Sequence, residues 1–204
     1  MSKFSLWIRA LILTTVVFFA LYLVNPSVKA NTIPILNIAS DPALNLKSDS
    51  TIKKFSDTEG PAVWAMGVLV TLKLQGKDSG GAYSIFEDFI PPGVGTPLHI
   101  HTREEEFWYV LEGQLTWNVG DKLFQATQGD FINTPRGVPH RFQNSGNKPA
   151  RMLLGYSPAG FEQWFLDVGK PVSDRKAQPP KITPQDIEKA VAAAKEYGVN
   201  FVKQ

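Results

Sequence analysis

From Ala62 to Tyr156 apolar residues recur at alternate positions in short runs, and Gly, Pro, Asn and Asp cut those runs apart. A period of two places alternate side chains on one face of a strand. The pattern predicts strands over 63–74, 82–90, 97–101, 105–111, 114–119, 122–127, 130–134, 139–144 and 150–156. Over 105–111 it sets Glu106, Trp108 and Val110 on one face and Glu105, Phe107 and Tyr109 on the other. Glu112-Gly113-Gln114 and Gly120-Asp121-Lys122 read as hairpin turns. Many short strands with no helix between them predict an all-β sandwich or barrel.

The period changes after this stretch. From Gly160 to Gly169, Phe161, Trp164, Phe165 and Val168 share one face of a short amphipathic helix. Residues 171–180 read as a linker. A last helix starts at Thr183 as its N-cap, with Pro184 in the first turn and Asp186 placed for a capping box. Gly198 is suited to end it. Both helices are expected to pack on the outside of the barrel or across a dimer.

The N-terminus follows another logic. Lys3 and Arg9 precede an uncharged apolar run from Ala10 to Val24, Asn25-Pro26 breaks it, and Val28-Lys29-Ala30 suits a signal peptidase. Residues 1–30 are read as a signal peptide cleaved near Ala30, which gives an exported protein with no stable membrane association. Residues 31–60 read as an irregular polar arm, 61–158 as the barrel and 159–204 as a helical extension. Removing Lys3, Arg9 and Lys29 from 21 basic residues leaves 18 against 19 acidic ones, a net charge of about −1. No basic stripe points to nucleic acid. With no cysteine, disulfide and thiolate chemistry are excluded. The core must supply the stability, and 13 Phe and 5 Trp provide apolar area for it.

The chemistry concentrates in the histidines. There are three, His99, His101 and His140, all within two short segments. His99 and His101, two apart on a strand, present their imidazoles on one face. Glu106 can add a carboxylate oxygen, and His140 can close the set from a later strand. Three nitrogens and one oxygen suit a divalent transition metal (Mn, Fe, Ni, Cu or Zn) and leave positions open for catalysis.

These segments resemble the paired motifs of the cupin superfamily. Gly93, His99, His101, Glu106 and Gly113 fit the first motif, and Gly129, Pro135, Gly137, His140 and Asn144 fit the second. Each position would match by chance about one time in twenty. The motif's spacing to Gly113 selects Glu106 over Glu105 as a ligand. Glu104 is read as a surface residue, with support of a ligand as its alternative. The stretches GGAYSIFE at 80–87 and PAGFEQWF at 158–165, with both motifs, are similar to a bacterial group of single-domain, quercetin-dioxygenase-like cupins.

That resemblance implies a cupin-type jelly-roll β-barrel with short C-terminal helices, a metal held by His99, His101, Glu106 and His140, and a small-molecule substrate. It also implies a homodimer, which the polar arm suggests as well. Phe86, Trp108, Trp117, Phe131 and Phe142 are candidates to line a pocket for an aromatic ligand. The activity implied is dioxygenation of a phenolic or flavonol-like molecule, with Glu106 as ligand and proton acceptor. Isomerase or lyase chemistry on the same metal, or ligand binding without turnover, stays open, because one fold hosts many functions.

Overall fold

The structure, a computed structural model, describes residues 52–56 and 59–202. The expected signal peptide and most of the expected arm lie outside them. The strands are β1 (Ala62–Ala65), β2 (Val68–Leu74), β3 (Ser84–Ile90), β4 (His99–His101), β5 (Glu105–Glu112), β6 (Gln114–Val119), β7 (Lys122–Thr127), β8 (Phe131–Thr134), β9 (His140–Gln143) and β10 (Ala150–Ser157). Helix α1 (Glu162–Val168), β11 (Lys170–Pro171), α2 (Pro184–Glu196) and β12 (Val199–Phe201) follow. One antiparallel sheet has the order β11-β1-β2-β3-β10-β5-β8, the other β12-β4-β9-β6-β7, and the two make the jelly roll. Among the described residues no helix is long and apolar enough to cross a membrane.

The alternation read from the sequence sets what faces inward. Along β5, Glu106, Trp108 and Val110 are buried while Glu105 and Tyr109 are exposed. Trp108 from one sheet meets Trp117 from the other with ring centroids 4.6 Å apart, and Phe142 packs on Trp117. These rings form the floor beneath the histidines. Asn144 ties down the loop behind them, donating to the carbonyls of Ile90 and Lys148 and accepting from the Gly146 amide.

Three expectations change. The run 63–74 is two strands, because Met66 and Gly67 both take positive φ and turn the chain tightly between Ala65 and Val68. Gly113 makes no hairpin: it carries the chain from β5 in one sheet to β6 in the other. A Cβ at Gly113, whose φ is +83°, would stand 2.9 Å from the Ala150 Cβ. The C-terminal segment also does more than pack outside. β12 pairs with β4, with Val199 opposite His101 and Phe201 opposite His99. This covers the backbone edge that the short β4 would otherwise leave open.

The helices fasten that closure. Thr183 caps α2, and Asp186 returns the bond to the Thr183 amide. The Trp164 indole N–H donates to the Ala190 carbonyl, joining α1 to α2. Phe161, at the start of α1, stacks on Trp164 and lies edge-on to His101, centroids 4.6 Å apart.

Candidate metal centre

Three strands build the centre. β4 turns His99 and His101 inward and Ile100 away, β9 places His140 opposite His99, and β5 brings Glu106 from the facing sheet. All four side chains are buried. Their donor atoms lie within 4.8 Å of one another. Glu106 Oε2 is 2.7 Å from His140 Nε2, 3.4 Å from His101 Nε2 and 4.0 Å from His99 Nε2. Ligands about 2.1 Å from a metal stand about 3–4 Å from one another, so the spacing suits one shared cation.

The outer nitrogens explain why the inner ones converge. His99 Nδ1 donates to the Pro97 carbonyl and His140 Nδ1 to the Val138 carbonyl, each at 2.8 Å. His101 Nδ1 donates to Glu104 Oε2 at 3.2 Å. With the proton held on Nδ1, the Nε2 lone pairs face the centre, the tautomer a metal requires. His101 Nε2 is buried with no hydrogen-bond partner. An orphaned nitrogen costs free energy unless something accepts its lone pair, and a divalent cation would do so. The residues therefore fit the metal that the motifs imply.

Electrostatics agree for Glu106 and His99. Burial pushes the Glu106 carboxyl up, but the three histidines around it, His101 first, more than offset this and hold it at about 2. Burial, then neighbouring His140, lowers His99 to about 4. At neutral pH Glu106 is thus anionic and His99 uncharged, the forms that ligate. His140 moves the other way: burial lowers it, and the hydrogen bond and charge of Glu106 raise it more.

A cavity of about 100 Å³ opens on His99 and Glu106. Val70, Leu154 and Tyr156 come from one sheet and Phe142 from the other, while Phe161, Trp164 and Ala190 come from α1 and α2. The extension expected to serve packing alone thus walls the site. Among the described residues no Lys or Arg lines the cavity, and Asp88 is the one acid besides Glu106 that does.

Of the five aromatic residues expected at the pocket, Phe142 lines it. Phe86, Trp108 and Trp117 are buried in the core without lining the cavity. Phe131 is 62% exposed: β8 alternates, Ile132 and Thr134 take the inward places, and Phe131 stacks outside on Phe107. Glu104, read as a surface residue, is 3% exposed and holds His101. It lies on the link between strands, where alternation gives no signal. Tyr156 was readable as an inward position of β10; it pairs with Glu106, whose charge together with burial raises the phenol well above its usual range.

Comparison with known proteins gives a consistent picture. The Cupin domain family matches residues 87–156. An uncharacterised protein of Methanocaldococcus jannaschii is 36% identical over 84 residues, 41% of this chain and 67% of that protein. Quercetin 2,3-dioxygenase of Bacillus subtilis is 29% identical over 96 residues, 47% of this chain and 28% of that enzyme. The chain thus spans about two thirds or less of the length of these curated relatives. A solved structure described as a predicted oxalate decarboxylase from Thermotoga maritima is 23% identical, with a TM-score of 0.49, covering 52% of this chain and 99% of that one.

Proposed function

This chain belongs to the cupin superfamily, and on that premise we propose that it is a metal-dependent dioxygenase acting on a small, uncharged phenol or enediol. The observation that carries the reading is the cavity: it reaches His99 and Glu106, its walls are mainly apolar, and among the described residues no Lys or Arg lines it. A sugar phosphate or a dicarboxylate would need cationic partners for its charge, and a phenol would not. Size narrows the class further. A cavity of about 150 Å³ holds benzene, so one of about 100 Å³ takes a single ring with slight adjustment. A three-ring flavonol would require α1 and α2 to move. The similarity to the B. subtilis dioxygenase supports the oxidative direction.

A bound divalent metal would supply Lewis-acid stabilisation of a deprotonated substrate oxygen and electron exchange with dioxygen. The protein does the rest. Glu106, whose carboxylate lines the cavity, is placed to take the substrate hydroxyl proton, while His140, its Nδ1 proton held by the Val138 carbonyl, remains a ligand. Phe142, Leu154 and Phe161 orient the ring and keep water out. Export with cleavage after Ala30 and a homodimeric assembly belong to the same proposal. N-terminal sequencing and light scattering test those two.

The activity test is oxygen uptake by the full chain, loaded in turn with Mn, Fe, Ni, Cu and Zn, on one-ring catechols and enediols. Uptake with label from ¹⁸O₂ entering the product supports the reading. Stoichiometric metal with no uptake on the whole panel overturns it in favour of isomerase or lyase chemistry, or of binding without turnover.

A further inference from the structure

Asp88 is a buried acid that neither the metal centre nor the fold uses. On β3, Ser84, Phe86, Asp88 and Ile90 point inward, so an acid occupies a core position. Asp88 is 2% exposed, and its strand neighbours in register are Val70 and Met152. Its Oδ1 is buried with no hydrogen-bond partner, and among the described residues no ion pair reaches it. Burial first, then the charges of Glu106 and Glu87, push its carboxyl well above the usual range. This shift favours the protonated form, which has a proton to donate.

Such a group destabilises a core unless something pairs with it. Asp88 caps no backbone and bridges no strands, and a valine would suit the position better. What distinguishes it is that it lines the cavity. Its partner Met152 lies four residues along β10 from Tyr156, the partner of Glu106. That is about 13 Å along the strand, so the two acids face the cavity at different depths.

We propose that Asp88 is a specificity-determining contact, hydrogen-bonding an uncharged oxygen at the end of a small ligand remote from the His99–His101–Glu106–His140 cluster. The ligand class is a single ring bearing a metal-binding hydroxyl pair at one end and a carbonyl or ether oxygen at the other. This rests on the cavity being the substrate site and is independent of whether dioxygen reacts there.

The test is calorimetric binding to the zinc-loaded full chain under anaerobic conditions, where no dioxygen can react, with two probes. These are 3,4-dihydroxybenzaldehyde, which carries the remote carbonyl, and 4-methylcatechol, which lacks it. The wild type is expected to prefer the aldehyde by about 10- to 100-fold. In Asp88→Leu the preference falls below about threefold, and Asp88→Asn, which keeps a donor, retains part of it. The infrared carbonyl band of the protonated carboxyl should shift when the aldehyde binds and be missing in Asp88→Asn, which also serves if Asp88→Leu does not fold. Equal affinity for the two probes, no binding of either, or an undiminished preference in the variants overturns the proposal. Tight, Asp88-dependent binding with no oxygen uptake in any metal form leaves this contact standing and refutes only the dioxygenase reading.

Discussion

Glu104 offers a sharp test of how the centre is held. It touches no metal position itself; it accepts the His101 Nδ1 proton and so keeps Nε2 free to ligate. Glu104→Ala leaves that N–H buried without a partner and lets the proton move to Nε2, where it blocks ligation. Groups that orient ligating histidines are worth about 10- to 100-fold in metal affinity, or about 1.4–2.7 kcal/mol. The bond here is charge-assisted and inside a buried pair, which puts the expected loss in that range. Glu104→Gln keeps an acceptor oxygen and should lose less than about tenfold. Glu105, next in the chain, is exposed and points away, so Glu105→Ala should bind like the wild type. Competition of zinc against a chromophoric chelator reads all three, with circular dichroism confirming the fold. Wild-type affinity in Glu104→Ala, or an equal loss in Glu105→Ala, would refute the reasoning.

Gly155→Ala should destabilise the barrel by about 1–3 kcal/mol, because its Cβ would stand 2.2 Å from the Phe107 ring; an unchanged urea midpoint would contradict this. Phe131→Ser should change stability by less than about 0.5 kcal/mol and leave metal binding intact, while Trp108→Ala, fully buried, should cost about 3–5 kcal/mol in the same assay. Asp88 gives a pH dependence. Its folded-state pKa is raised, so its contribution is fully present below the ordinary carboxylate range and is lost as pH rises toward the folded value. Asp88→Asn should flatten the decline in thermal midpoint above about pH 4; an identical pH profile would rule out a neutral buried Asp88.

The parts of the site that were legible in the sequence are those governed by strand alternation. His99 and His101 two apart, and Glu106 in step with Trp108 and Val110, gave inward direction directly. Thr183, Pro184 and Asp186 announced α2 by local capping chemistry. Applied to β3 and β8, the same parity would have found Asp88 beside Phe86 and Ile90, and would have put Phe131 outside. What alternation cannot supply is long-range pairing. That β12 would close on β4, and that Phe161 and Trp164 would wall the cavity, depends on which open edge and which apolar surface the folded barrel leaves uncovered. Glu104 was hidden for a third reason: its role follows from a side-chain bond across a link, not from any repeat.

The central claim is that His99, His101, Glu106 and His140 hold one divalent metal ion between the two sheets. Elemental analysis of the purified full chain after metal loading and desalting measures it directly. One equivalent per chain is expected, falling below about a tenth in His101→Ala and His140→Ala, where removal of a ligand breaks a chelate that depends on all four, with circular dichroism close to wild type. Full metal occupancy in both variants would contradict it.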